Sequence, residues 1–332
     1  MREGAKGQTS AGGGIQSPGL RILATGRALP LHSVTNEQLS SKVDTSDQWI
    51  RERTGIGSRY FCGEGESCLS LAVAAGRQAL ARSGLDPEEI GLCLAATFTP
   101  EYATPSTACL VQEALGLPED IPAFDLNAAC TGFLYALETA RSLLIAAGAV
   151  PRPFALVIAS EEISRFLDFT DRGTCVLFGD GAAAAVVSLD AGRLYRCLLG
   201  SRGTEGILSC PGVGKEKPKL QMQGKEVFRF AVDVVPRCIR QILEACGLTL
   251  AEIDYVVCHQ ANRRIIDHVV KKLAAPPEKF YCNVAEYGNT SAASIPIALD
   301  EMAEKGLLRP GMVLLCVGFG AGLTWGATLL EW

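Results

Sequence analysis

Three polar residues stand where this chain could do chemistry. Cys130 lies in DLNAACTGFLYAL (125–137), directly ahead of a run in which Phe133, Leu137, Ala140, Leu144 and Ala147 recur at helical spacing, with Leu134 and Ala136 filling the other side. A helix that is apolar nearly all round is a buried helix. A thiol at its start would face free backbone N–H groups and the positive end of the helix dipole. Both stabilise the thiolate, lower its pKa and make it a nucleophile. The same position also suits cysteine as a small buried hydrophobe. His259, one of three histidines with His32 and His268, ends the apolar run YVVCH and precedes QANRRII, which opens a further helix. A histidine at such a junction is either structural or a proton donor and acceptor. Asn289, in YGNTSAAS, is good turn or N-cap chemistry as well as an amide donor. No one of the three settles a reaction. Their joint placement at the ends of elements, where loops carry function, singles them out.

The elements that must position them repeat. SLAVAAGRQALARSGLDPEEIGLCLAAT (70–97) and FRFAVDVVPRCIRQILEACGLTLAEIDYVVCHQ (228–260) each read as a helix, a Gly-Leu stop, a short acidic connector and an apolar strand. Gly84 and Leu85 answer Gly247 and Leu248, and Ile90 answers Ile253. LGLPEDIPAFDLNAACTG resembles LAAPPEKFYCNVAEYGNTS, and each leads into a helix and then a strand, PFALVIAS or VLLCVGFG. Alternating helices and strands indicate an α/β protein with buried sheets. Two similar halves, 19–190 and 191–332, would pack as pseudo-symmetric layers with a site at their interface. In this register Asn289 falls at nearly the place of Cys130.

The 332 residues are 48% apolar and 20% charged, ample for a large core. No run of eighteen apolar residues occurs, so no membrane span is expected. Residues 1–18, rich in Gly and Ser, read as a flexible extension without the apolar stretch of a signal peptide. Thirteen scattered cysteines with no C-x-x-C pair give no zinc ribbon or redox dithiol and fit a reduced, cytoplasmic setting. A net charge of −5 argues against nucleic acid as the main partner. GFGAGLTWG lacks the Lys-Ser/Thr of a phosphate loop and leaves too little chain for a dinucleotide fold; FGDGA reads as a structural turn.

DLNAACTGF, VVCHQANRRI, EYGNTSAAS and GFGAGLTWG, with TSDQWIRERTGIGSR and DFTDRGTCVLFGDGAAAAV, together resemble the β-ketoacyl-acyl-carrier-protein synthase III family of the thiolase superfamily, from about Leu20 to Trp332. The resemblance implies a five-layered αβαβα fold of two pseudo-symmetric halves. It implies that Cys130 takes an acyl group from a coenzyme A thioester, and that His259 and Asn289 act when a malonyl group on acyl carrier protein loses carbon dioxide and attacks the acyl-cysteine. One cysteine serves both transfers because a thiolate both attacks and leaves well. Two neutral donors, His259 Nε2–H and the Asn289 amide, would hold the enolate oxygen as an oxyanion hole does. The tetrahedral intermediate would rest on the backbone N–H groups of Cys130 and Ala321, the latter standing where many relatives have Gly.

The resemblance further implies that Trp49 and Arg172 sandwich the coenzyme A adenine, with Arg53 near the phosphates and Asn262 along the pantetheine. On residue type alone Trp49 reads as amphipathic core and Arg172 as a surface charge. Arg264, His268, Lys271 and Lys272 share one helical face, which reads as a solvated face; the resemblance makes it a docking patch for the acidic carrier protein, with Arg229 beside it. Thr104 stands where many members carry Phe reaching across a homodimer into the neighbour's acyl pocket, so acyl groups longer than acetyl are expected. No metal and no permanently bound cofactor are implied; acyl-CoA is a substrate. A polyketide or other secondary-metabolic condensing enzyme would share these motifs. A Cys-His-Asn hydrolase lacks its signature here, and a non-catalytic scaffold would not need all three residues.

Overall fold

The computed structural model describes residues 18–148, 151–204, 206–212 and 219–332; the expected extension lies outside the described residues up to residue 17. One sheet comprises β1 (Gly19–Ala28), β2 (Ile90–Ala96), β3 (Ala123–Leu126), β4 (Phe154–Glu161) and β5 (Gly181–Asp190), in the order β1-β5-β4-β2-β3. The other comprises β6 (Tyr195–Thr204), β7 (Tyr255–Cys258), β8 (Phe280–Tyr281), β9 (Val313–Gly320) and β10 (Gly322–Glu331), in the order β6-β10-β9-β7-β8. The two orders are the same. The pairing sense matches too: β2 and β7 are parallel to both neighbours, and β5 and β10 are antiparallel to both.

Seven helices frame the site: α1 (Asp47–Thr54), α2 (Cys68–Ser83), α3 (Thr107–Leu115), α4 (Gly132–Ala147), α5 (Gly224–Cys246), α6 (Arg263–Leu273) and α7 (Ser294–Glu304). Strand residues alternate between faces, so each strand serves two cores. In β4, Leu156 and Ile158 meet Leu71, Ala75 and Val111 of α2 and α3, while Val157 and Ala159 face inward. In β9, Leu315 and Val317 meet Ile239 and Ile266 of α5 and α6, while Leu314 and Cys316 face inward. Phe133 and Leu137 of α4, with Ile297 and Met302 of α7, fill the space between the sheets. The result is five layers, αβαβα. Covering both sheet faces is why the strands read as continuous apolar runs.

The repeated unit seen in the sequence has a local cause. Gly84 and Gly247 end α2 and α5 at φ of 72° and 65°, a left-handed cap that suits glycine. A 3-10 turn follows in each half, Pro87–Glu89 or Leu250–Glu252, and leads into β2 or β7. The all-round burial expected for α4 gives way in its second half to burial of one face, through Ala140 and Leu144. Phe133, Leu134 and Leu137 are buried, but Leu143 and Ile145, on the face opposite Leu144, are each 37% exposed.

The halves are also tied by charge. Asp300 of α7, fully buried, accepts from Thr25 Oγ1 (2.8 Å), Arg27 (2.6 Å) and Arg82 (2.7 Å) of the first half. Among the described residues no helix is long and apolar enough to cross a membrane.

Candidate active site

Cys130 sits in a 3-10 turn, Ala129–Thr131, that runs straight into α4. Its side chain is nearly buried, 7% exposed. Ala129, just before it, has φ of 47°, a left-handed backbone that a non-glycine residue adopts only when its surroundings hold it there. Asn127 does part of the holding: its Oδ1 accepts the Ala129 N–H at 3.0 Å. Gly320, at the end of β9, approaches so closely that a Cβ there would lie 2.8 Å from Cys130 N. Only glycine fits.

The second half builds the same turn. Asn289 Oδ1 accepts the Ser291 N–H at 2.9 Å, Ser291 has φ of 50°, and the 3-10 turn Ser291–Ala293 runs into α7. The structural counterpart of Asn289 is therefore Asn127, and that of Cys130 is Ala292. The two turns abut: Ser291 Oγ–H donates to Cys130 Sγ at 3.4 Å. With its oxygen turned to Ser291, the Asn289 amide leaves Nδ2–H as the group free to donate.

His259 leaves the end of β7 with its N–H on Val317 O (2.8 Å). Its Nδ1 lies 2.6 Å from Ser294 Oγ, at the start of α7. Ser294 Oγ accepts the Gln260 N–H at 3.3 Å, and its own hydrogen has no acceptor other than Nδ1 among the described residues. That assigns the imidazole proton to Nε2. Burial pushes the His259 pKa down to about 3, so the ring is neutral. Phe319 packs edge-on against it, with ring centroids 5.4 Å apart.

The expectation of a lowered thiol pKa is reversed. Burial pushes Cys130 up to about 12, against a smaller downward effect of the Ser291 hydroxyl. The helix start is present, but removing the sulfur from water dominates. Burial thus favours the neutral thiol over the thiolate.

A cavity of about 200 Å³ joins Trp49, Arg53, Arg172 and Asn262 at one end to Cys130, His259 and Asn289 at the other. Trp49 and Arg53 come from α1, whose N-cap Ser46 accepts the Trp49 N–H; Asn262 caps α6. The Arg172 guanidinium lies over the Trp49 ring, 5.0 Å from its centroid. A second cavity, about 320 Å³, opens on the far side of Cys130. Phe98, Phe178, Leu208, Cys210 and Leu220 line it, and Ala321 lies at its wall between β9 and β10.

The outer residues are less gathered. Arg264, Lys271 and Lys272 are exposed on α6, with Arg264 over Phe228 at the first cavity's rim (5.8 Å). Lys272 leans on Val232 O (3.0 Å) and Asp233 (3.6 Å), and Arg229 pairs with Glu226 (2.8 Å). Thr104 is exposed and lines neither cavity at Cys130. Ser291, Ser294 and Glu161 were not singled out in the sequence; nothing local ties Ser294 to a histidine 35 positions away. Among the described residues no group of three or more His, Cys, Asp or Glu could hold a metal ion.

Two duplicated α/β halves stacked in five layers, with a cysteine at the start of the first central helix, define a condensing enzyme of the thiolase-like fold. Comparison narrows the class. Two models of 3-oxoacyl-[acyl-carrier-protein] synthase III match, one over residues 124–203 and its C-terminal model over 243–332. A β-ketoacyl-[acyl-carrier-protein] synthase III of Clostridium acetobutylicum is 46% identical across 94% of this chain and 98% of its own. The crystal structure of the Aquifex aeolicus 3-oxoacyl-[acyl-carrier-protein] synthase III superposes with a TM-score of 0.89 at 42% identity, covering 95% of this chain and 100% of that one. The priming β-ketosynthase of a polyketide pathway gives 0.84 at 36% identity, over 97% and 98%. The chain belongs to the β-ketoacyl-acyl-carrier-protein synthase III family and is an acyl-transferring condensing enzyme.

Proposed function

We propose that the chain transfers an acyl primer from acyl-CoA to Cys130 and then condenses it with malonyl-acyl carrier protein to start fatty acid synthesis. The observation that carries this reading is the single cavity joining Trp49 and Arg172 to Cys130, His259 and Asn289. The adenine inserts between Trp49 and Arg172, Arg53 takes the phosphates, and the pantetheine runs past Asn262. Cys130 attacks the thioester carbonyl, and the oxyanion rests on the Cys130 and Ala321 N–H groups. Coenzyme A leaves, and the acyl chain occupies the second cavity. In the second half-reaction the malonyl carboxylate departs as carbon dioxide and its electrons move to the thioester oxygen. His259 Nε2–H and Asn289 Nδ2–H hold that charge. The enolate attacks the acyl-cysteine and Cys130 leaves. No resident cofactor enters the scheme.

The rim formed by Arg229, Arg264, Lys271 and Lys272 receives the acidic carrier protein. A second copy of the chain brings Thr104 toward the neighbouring acyl cavity; exposed Tyr102 and Phe124 beside this loop support a covered face. The free cysteines support a cytoplasmic setting. Likeness to the polyketide priming enzyme supports one second reading, the same chemistry with another primer. Intact mass after incubation with a chain-length series of acyl-CoA thioesters, beside Cys130→Ala, tests both. A single adduct that malonyl-carrier protein discharges with release of carbon dioxide is expected. No adduct with any thioester refutes the scheme, and strict preference for acetyl refutes the role of Thr104.

A further inference from the structure

Two hydroxyls join the turn that holds Cys130 to the turn between β9 and β10. Thr324 pairs with Gly320 across the β9–β10 hairpin and so closes the tip that carries Ala321. Its Oγ1 lies 3.0 Å from Ala321 O on its own side. On the nucleophile's side it lies 2.8 Å from Thr131 Oγ1 and 3.1 Å from Ala128 O. Thr131 Oγ1 is itself 2.7 Å from Ala128 O. Ala128 and Thr131 flank Cys130 in the chain. Each hydroxyl has one hydrogen to give. Two hydroxyl oxygens 2.8 Å apart share one, so one threonine donates to the other. Whichever way that bond points, it runs from one turn to the other. The remaining hydrogen goes to Ala128 O or Ala321 O, the two backbone acceptors in reach.

We propose that Thr324, through Thr131, fixes the spacing of the two backbone N–H groups, those of Cys130 and Ala321, that receive the oxyanion of acyl transfer. The proposal rests on the acyl-transfer reading of the site. Thr324 is a positioning residue, because its hydroxyl is committed to the two turns and acts through their backbone. An oxyanion hole works only when both donors lie about 2.7–3.1 Å from the same oxygen. Here the donors come from different halves of the chain, Cys130 from the start of α4 and Ala321 from the tip of a hairpin in the second sheet. Gly320, packed against Cys130 N, limits how near the turns can come. Contact alone does not stop them from parting. A hydrogen bond across the gap does.

The surroundings hold the tie in place. Thr131 is fully buried, so water competes little for its hydroxyl. On the other side, a Cβ on Gly322 would lie 2.9 Å from Thr324 Cγ2, and one on Gly320 would lie 3.2 Å from Thr324 Oγ1. Glycines at both positions let the threonine sit close beneath the tip.

The test compares the native chain, Thr324→Val and Thr324→Ser. Valine keeps the branched shape without the hydroxyl, and serine keeps the hydroxyl. Two single-turnover rates are read by intact mass: acylation of Cys130 by acyl-CoA and its alkylation by iodoacetamide. Acylation passes through a tetrahedral oxyanion, whereas alkylation at a saturated carbon does not and reports only the thiol. Thr324→Val should acylate about 10- to 100-fold more slowly at saturating acyl-CoA. Its half-saturating concentration and its alkylation rate should stay within about twofold of native. Thr324→Ser should return acylation to within about threefold of native. A merely structural role would lower both rates together and spare neither. If Thr324→Val does not fold, Thr324→Ala, which removes the same hydroxyl without a methyl facing Gly320, carries the test. Acylation at the native rate, an equal fall in alkylation, or a serine variant as slow as the valine one overturns the proposal. A native chain that iodoacetamide alkylates but no acyl-CoA acylates refutes the acyl-transfer reading, and the proposal with it.

Discussion

Replacing Ser294 by alanine should separate the two half-reactions. Ser294 donates to His259 Nδ1 at 2.6 Å and thereby holds the ring proton on Nε2. Without that donor, the Nε2–H tautomer leaves Nδ1 as a buried acceptor with no partner, which costs about 1–3 kcal/mol. Nδ1 is then unpartnered in either tautomer, so the preference that the Ser294 hydroxyl gave the Nε2–H form is lost, and the form with the proton on Nδ1, in which Nε2 is an acceptor, competes with it. At about 1.4 kcal/mol per decade, the ratio of donor to acceptor tautomer falls by about 5- to 150-fold. Removing one oxyanion donor outright costs about 100- to 1,000-fold, which sets the upper limit of the fall expected in decarboxylation. Acylation of Cys130 does not use His259 Nε2–H and should stay within about twofold of native. The assay is a pair of single-turnover measurements: acyl-CoA to acyl-enzyme by intact mass, and carbon dioxide release from malonyl-carrier protein on preformed acyl-enzyme. A fall in decarboxylation alone supports the tautomer assignment. Equal falls in both steps, or none in either, would refute it.

Gly320→Ala places a Cβ 2.8 Å from Cys130 N and 3.2 Å from its Cβ, so the nucleophile must move by several tenths of an ångström; acylation should fall about 100-fold in rapid-quench measurements. Asp300→Ala strands Arg27 and Arg82 and loosens α7 from the first sheet. Denaturant unfolding should show a loss of about 3 kcal/mol. Arg172→Ala should raise KM for acyl-CoA several-fold while leaving the alkylation rate of Cys130 unchanged, because Arg172 lies at the far end of the cavity. For pH, the sign differs between two buried groups. Glu161, raised to about 8 in the fold, contributes stability that is full below its unfolded value and is lost as pH rises through 8. His259, lowered to about 3, is held neutral, and stability falls as pH drops below its unfolded value of 6.5 toward 3. Thermal unfolding of Glu161→Gln against native across this range checks the first, since the native advantage from Glu161 should shrink toward alkaline pH.

Much of the fold was legible because its signals are local. A Gly-Leu stop, an acidic 3-10 connector and an apolar strand announce themselves in each half, and both units appear where the repeat places them. Strand order was not legible, since pairing joins β1 to β5 across more than a hundred residues. The position of Cys130 could be read, but its pKa could not: the helix start is local, whereas the burial that raises it comes from β9, β10 and the neighbouring turn. Aligning Cys130 with Asn289 put the halves a few residues out of register. Backbone conformation, with Ala129 and Ser291 both in the left-handed region, is what matches Asn127 to Asn289. Ser294, Ser291 and Glu161 escaped notice because their partners lie far away in the chain.

The two abutting turns carry an arithmetic consequence. A duplicated chain would ordinarily be expected to hold two copies of any site built from one half. Here the two related turns abut, with Ser291 of one against Cys130 of the other, so the halves share one centre instead of building one each. The duplication therefore yields one reaction centre per chain, and the two turns cannot stay alike. Where one carries sulfur the other carries Ala292, and the asparagine that shapes each turn, Asn127 or Asn289, is free to specialise in only one of them. Symmetry supplied the scaffold twice; the chemistry required that it be broken at the single place where the copies touch.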